Sequence, residues 1–463
     1  MQFIDILKNL PEIQGPIEKK LSFNNKLKWT LIVLVAFFIL ANIPLYGLAK
    51  NALDRFQYLA IILGTDFGSI ISLGIGPIVM ASIILQLLVG SKILNIDLTT
   101  SEGKKYFQGL QKLTVLFFIL FEALIYVLMQ GLAAMPGYTF IVVFQLCLGG
   151  LAIVFMDELV SKWGFGSGVS LFIVAGVGWR LFTGMFQFVN EAGQNCLIDF
   201  SKTACAGKVL VVIQSVMNQA PTEAISALAV LLVTALIFLV VVWAQSLKVE
   251  VPLSFDRLRG YGLRWPLSFF YTSVIPVILA SALAANIQLF AGLLQEWLGH
   301  GTFLGTFIQG QSQAVAGVSF WISGIQLLNA IVRGSLQLVF IPQALVHILF
   351  YVVFSTIFAI FWVKTSGMDA SSQAKNIIAS GLQIPGFRKD ERVLESVLTR
   401  YIMPLTIMGG AAIGLLAAAA DLLGALTSGT AILLAVMIMY QFYNSIAQQH
   451  SVDMHPALRK FMG

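Results

Sequence analysis

Ten runs of roughly 20 mostly apolar residues punctuate this 463-residue chain, and they leave few folds open. A run of that length crosses the hydrocarbon of a bilayer as a helix, because each backbone N–H and C=O must then find its partner inside the segment. The first five runs are 29–49, 69–90, 113–132, 138–156 and 168–186. The second five are 225–243, 269–294, 336–363, 402–423 and 431–446. With 58% apolar and 11% charged residues, the chain cannot coat a soluble surface, and disorder, coiled coil and collagen are excluded with it. The expected fold is all-α, an integral membrane protein of ten transmembrane helices.

Charge sets the expected orientation. Of 28 lysines and arginines, 22 lie ahead of the first span, in the even-numbered loops or in the tail. The positive-inside rule therefore places both termini in the cytosol. The organisation read this way is an amphipathic leader (1–28, with Phe3, Leu7 and Leu10 at helical spacing and no cleavage site after it) and an N-terminal half (29–190). An outer loop (191–223) leads to a C-terminal half (224–447) with cytosolic loops 246–267 and 364–400, and then a tail (448–463). Segment 313–332 is moderately apolar but carries Ser319, Ser323, Gln326 and Asn329. Counting it as a span would turn the six-base loop outside, so it is expected in an outer loop. Five spans per half is an odd number, so two similar halves would sit in opposite orientations; the count permits this inverted symmetry, and the halves show no clear internal identity.

The irregular pieces matter most. The apolar run 56–63 is too short to cross a bilayer; it fits a buried re-entrant helix or an outer hairpin, and its residues favour neither. Gly74, Gly76 and Pro77 open the second span, and Gly164, Gly166 and Gly168 precede the fifth. Such residues unwind helices or allow close packing. Glu122 lies mid-span, where a carboxylate costs at least about 2.5 kcal/mol unless it faces protein or water. Asn286 in the seventh span is a polar candidate partner. Cys196 and Cys205 share one polar loop and can pair if that loop faces an oxidising side. No phosphate-binding loop or zinc helix occurs, and the four histidines are scattered. The expectation is no enzyme, no cofactor and no metal, with any work driven from outside.

Two long stretches carry a family resemblance. Leu73-Gly-Ile-Gly-Pro-Ile-Val-Met-Ala-Ser-Ile-Ile-Leu-Gln-Leu-Leu88 and Met156-Asp-Glu-Leu-Val-Ser-Lys-Trp-Gly-Phe-Gly-Ser-Gly168 resemble the two signatures of the SecY family, the channel-forming alpha subunits of the Sec protein translocon. The archaeal type is nearest. The resemblance implies two halves hinged around an hourglass pore and a re-entrant plug helix at 54–64. It implies a constriction of Ile75, Val79, Val169, Ile173, Ile278 and Leu434, although relatives often have isoleucine at the position of Val169. Glu122 and Asn286 match polar positions of a lateral gate, where a polar latch would hold two apolar helix faces together. Arg257, Arg259, Arg264, Arg388 and Lys389 match positions where relatives dock the ribosome. The implied partners are SecE/gamma-type and beta-type small membrane subunits, the ribosome, nascent polypeptides with their signal sequences, and membrane lipids. The implied function is a passive conduit for secretion across the cell membrane and for lateral insertion of apolar segments. The alternative is a secondary transporter of a small solute built from inverted repeats, which would need a polar midplane site with coupling ions.

Overall fold

A computed structural model of the chain describes residues 11–17, 21–49, 68–90, 93–94, 96, 100–129, 131–188, 195–196, 205–255, 262–272, 274–308, 314–332, 334–335, 337–379, 382–383 and 390–454. The first half contains α1 (Phe23–Ala41), α2 (Gly76–Gly90), α3 (Ser101–Leu128), α4 (Thr139–Trp163) and α5 (Gly168–Phe186). A short α6 (Lys208–Met217) then precedes α7 (Pro221–Gln245), strands β1 (Lys248–Phe255) and β2 (Gly262–Ser268), and α8 (Ile275–Leu298). Next come β3 (Thr306–Phe307), β4 (Ala314–Ala316), α9 (Val318–Ile322) and α10 (Leu327–Val332). The chain continues through α11 (Phe340–Thr365), α12 (Ala370–Ala379), β5 (Leu382–Gln383), α13 (Glu391–Leu423) and α14 (Gly429–Met454). The ten expected spans are α1 to α5, α7, α8, α11, α13 and α14. Among the described residues nine of these are long and apolar enough to cross a membrane; α2 is not.

The reason lies in the glycines and proline of the second run. The helix begins only at Gly76, with Pro77 in its first turn, where a missing N–H costs nothing. Its 15 residues rise about 22 Å at 1.5 Å each, short of the ~30 Å hydrocarbon. The missing length is supplied by 68–75, a run of turns with Gly68 and Gly74 at positive φ. Such backbone survives at membrane depth only inside protein. Here Ile71, Ser72 and Leu73 are fully buried. Their neighbours also find partners: Leu45 N–H donates to Gly68 O (2.7 Å), Ile70 N–H to Ile43 O (3.0 Å) and Gly68 N–H to the Ser72 hydroxyl (2.8 Å). Gly149 on α4 makes the fit possible, because a Cβ there would lie 1.9 Å from the Ile70 carbonyl oxygen.

Other helices overrun their apolar runs toward the face that carries the lysines and arginines, called the basic face below. Thr100 caps α3 by accepting from Gly103 N–H (3.1 Å), and Glu102 sits in its first turn. Asp390 caps α13 in the same way through Arg392 N–H (3.0 Å). Hydropathy cannot see these extensions, because their residues are polar and water satisfies them. On the basic face β1 pairs with β2, Lys248 opposite Ser268 and Ser254 opposite Gly262. On its other edge β1 pairs with β5, Ser254 opposite Gln383 and Phe255 opposite Leu382. On the opposite face, segment 313–332 holds two helices of five and six residues, too short to cross.

The largest apolar core draws on both halves, from Val33 and Phe37 of α1 through Ile173 of α5 and Ile278 of α8 to Leu434 of α14. A second joins α2, α3 and α4 to the far end of α8 through Ala285, Leu289 and Leu293. The two halves therefore meet along α8.

Candidate functional site

Five aliphatic side chains converge where the halves meet. Ile75 stands just ahead of α2, and Val79 follows four residues later, one turn on and on the same face. Ile173 comes from α5, Ile278 from α8 and Leu434 from α14. All five are at least nine-tenths buried, and together they line one cavity. The space open to water centres there is about 20 Å³, enough for one or two molecules. Val177, one turn beyond Ile173, belongs to the same wall, as do Ala282 and Ala431. Ser281, Ser428 and Thr430 add hydroxyls to the lining. The resemblance did not supply these residues. Val169 does not line the cavity: it sits in the first turn of α5, where its N–H donates to Asp157 Oδ1 (2.8 Å). Aliphatic walls this close exclude water and ions by dewetting.

The halves also meet where α2 packs on α8 and α11, and where α3 and α8 share one apolar cluster. At the end of α2, Gly90 lies so near Phe361 of α11 that a Cβ would meet the ring at 2.4 Å. Glu122 of α3 is 2% exposed, and its Oε1 has no hydrogen-bond partner. Asn286 of α8 donates instead to Ala282 O of its own helix (2.8 Å). Glu122 and Asn286 thus border the same apolar cluster without a hydrogen bond between them, so the latch expected from the resemblance is not closed as a bonded pair. Gln86 of α2, also buried with an unpartnered Oε1, is a third polar group in this boundary. Its signal in the sequence is a lone amide within an apolar run.

The basic face holds a network of ion pairs between residues far apart in the sequence. Lys112 Nζ donates to Glu158 Oε1 (2.7 Å) and lies 3.8 Å from Glu12. Lys162 pairs with Glu158 (3.2 Å) and more closely with Glu12, while Trp163 Nε1–H donates to Gln14 O (3.0 Å). The leader is thereby tied to α3 at Lys112 and to the end of α4. Of the expected docking residues, Arg264 lies on β2 with its backbone opposite Pro252. Arg257, Arg259, Arg388 and Lys389 lie outside the described residues, as do the expected plug 54–64 and the amphipathic residues of the leader. The strands that lead to these arginines and lysine, β1 and β5, are hydrogen-bonded neighbours. On the opposite face Cys196 and Cys205 form a disulfide, their Cα atoms 5.3 Å apart, and Cys147 is free. Among the described residues no histidine, cysteine or carboxylate cluster could hold a metal.

The cavity, the short α2 and the buried turns ahead of it fall within residues 69–443, which match the family model described as SecY. The chain belongs to the SecY family. Residues 35–68 match a second model, the plug domain of Sec61p. The protein translocase subunit SecY of Methanothermobacter thermautotrophicus is 44% identical over 468 residues, covering 100% of this chain and 98% of the relative. That of Methanocaldococcus jannaschii is 37% identical over 469 residues, covering 100% and 99%. A solved structure of a protein conducting channel superposes with a TM-score of 0.82 at 35% identity, covering 99% of each chain. Sec61 in the canine ribosome–channel complex from the endoplasmic reticulum gives 0.79 at 34%, again covering 99% of each chain. Ten spans in two inverted halves, a multi-pass membrane location and a protein-conducting role follow for this SecY-family chain. The small-solute transporter falls away.

Proposed function

We propose that this chain is the central, channel-forming subunit of a translocon, a passive conduit through which polypeptides cross the membrane and from which apolar segments leave sideways into lipid. The observation that carries this reading is the cavity walled by aliphatic side chains from four spans of both halves. Dispersion contacts are weak one by one and have no direction, so such a wall closes around a passing chain without selecting its sequence. Ile75, Val79, Ile173, Ile278 and Leu434 form the constriction, with Val169 at its approach, and 54–64 supplies the plug. Glu122 and Asn286 make the lateral boundary less apolar, so that a signal sequence can displace one helix pair from the other.

The basic face is cytosolic in this reading, with both termini on it, and the Cys196–Cys205 disulfide on the opposite face agrees with an oxidising exterior. Arg257, Arg259, Arg264, Arg388 and Lys389 dock the ribosome by attraction to RNA phosphate. SecE/gamma-type and beta-type single-span subunits complete the complex in the lipid plane. The deciding experiment replaces Ile75, Val79, Ile173, Ile278 and Leu434 together by serine. Purified protein in planar bilayers should then conduct ions at rest, whereas five serines on lipid-facing positions of the same helices should not. Equal conductance in both sets, or none in either, would remove the conduit reading.

A further inference from the structure

We propose that His347 and Asp421 form a positioning pair that seats the first turn of α14, and with it the side of the constriction contributed by Ser428, Thr430, Ala431 and Leu434. This rests on the reading of that cavity as the constriction.

Asp421 lies in the last turn of α13, yet it caps the next helix. Its Oδ1 accepts the Thr430 N–H (2.8 Å) and the Thr430 hydroxyl (3.2 Å), satisfying donors that a helix start leaves open. The connection 424–428 has little slack. Gly424 adopts a left-handed conformation, and Gly429 lies so close to the end of α13 that a Cβ would stand 2.0 Å from the Ala420 carbonyl carbon. Leu426 N–H donates to Thr234 Oγ1 (3.0 Å), which ties the turn to α7. A shift of the Asp421 carboxylate therefore moves Thr430, and Thr430 and Leu434 both face the cavity.

The other carboxylate oxygen, Oδ2, faces His347 Nε2 of α11 at 3.6 Å, with both side chains nearly or fully buried. The contact is beyond hydrogen-bond length and attracts when the imidazole carries protons on both nitrogens. The second ring nitrogen is committed elsewhere: Nδ1–H donates to Ile322 O (2.5 Å), the last carbonyl of α9. One turn earlier on α11, Gln343 Nε2 donates to Phe320 O of the same short helix (2.7 Å). Gly324 completes the junction, since a Cβ there would come within 3.2 Å of Asp421 Cβ and 3.3 Å of His347 Cε1. A relay of named contacts thus runs from α9 on the non-basic face through His347 and Asp421 to the start of α14. Ordinary interhelical packing would need neither the cap nor a buried imidazole facing a carboxylate.

The test measures the resting state of the full-length protein in proteoliposomes. Variants are His347→Ala, Asp421→Ala and Asp421→Asn, the last keeping an acceptor for Thr430 while removing the charge. A Leu434→Cys reporter is carried in each, with Leu232→Cys on the lipid face as control. Thiol modification of the Leu434 reporter should accelerate by about tenfold in His347→Ala, the change that about 1.4 kcal/mol in opening gives, with a smaller gain in Asp421→Asn. Resting ion flux should rise in the same order, with Leu232 reactivity unchanged. The double alanine variant should exceed the larger single variant by little, because the two residues act as a unit. If the serine-substituted constriction conducts while reporter reactivity and flux stay at the wild-type level in His347→Ala and Asp421→Asn, the positioning pair is refuted and the channel reading stands. If the serine-substituted constriction is silent too, the channel reading itself has failed. Should Asp421→Ala not insert, the other two variants decide alone by the same criteria.

Discussion

Gly149 offers the most direct check on how α2 can be short and still reside in a membrane protein. The substitution Gly149→Ala places a methyl carbon 1.9 Å from the Ile70 carbonyl oxygen and 2.7 Å from its carbonyl carbon. Both obstacles are backbone, so no rotamer relieves them. Ordinary contact begins near 3.4 Å, and either α4 or segment 68–75 must retreat by more than an ångström. Overpacking of this kind costs about 1–3 kcal/mol. Segment 68–75 ends at Ile75, so its retreat also displaces a side chain of the aliphatic cavity wall. The assay is thermal unfolding of the detergent-purified protein, paired with resting ion flux. The control is Gly178→Ala on α5, where a Cβ meets nothing within 4 Å. That change should be neutral or stabilising by up to about 1 kcal/mol, the helix propensity difference. Gly149→Ala should be destabilised and leaky. A Gly149→Ala protein as stable and as tight as Gly178→Ala would refute the packing of 68–75 against α4, and with it the account of the short helix.

Three further outcomes are expected. Cysteines introduced between 366 and 398 should escape an impermeant thiol reagent in intact cells; labelling from outside would reverse the orientation. Replacing Arg388 and Lys389 by glutamate should weaken ribosome binding and flatten its salt dependence, read by co-sedimentation across a salt series, and an unchanged slope would reduce these bases to orientation signals. Removing the buried carboxyl by Glu122→Leu should stabilise the closed protein by about 1–3 kcal/mol, because an unpartnered buried acceptor is lost. Signal sequences of marginal hydropathy should then insert less well, and equal insertion by wild type and variant would show that Glu122 has no part in lateral opening.

What could be read without coordinates divides along physical lines. The fifth span agrees with α5 at both ends, because Gly168 marks its start and its apolar run ends with the helix at Phe186. The second apolar run, 69–90, joins seven residues of buried turn to a 15-residue helix, and the two are equally apolar in sequence. The hairpin on the basic face carries a period-two pattern in Val249, Val251, Leu253 and Phe255, but its prolines and its place between spans obscured it. Residue type alone does not single out the cavity wall, because an isoleucine facing a cavity and one facing lipid look alike in a string of letters. Only the resemblance picks out Ile75, Val79, Ile173, Ile278 and Leu434, and it places Val169 with them, whereas Val169 sits one turn before Ile173 on the same face of α5, beyond the cavity lining. Glu122, by contrast, announced itself, since a mid-span carboxylate needs a reason.

The small sheet on the basic face has a mechanical consequence. Its three strands come from the chain between α7 and α8 and from the chain between α12 and α13, so every strand is anchored in the second half. Pulling on it would load that half as one piece, like a handle riveted to a single leaf of a hinge. The first half is gripped separately, through the leader and the Lys112, Glu158 and Lys162 network. A large body resting on the sheet would therefore leave the angle between the leaves free to change.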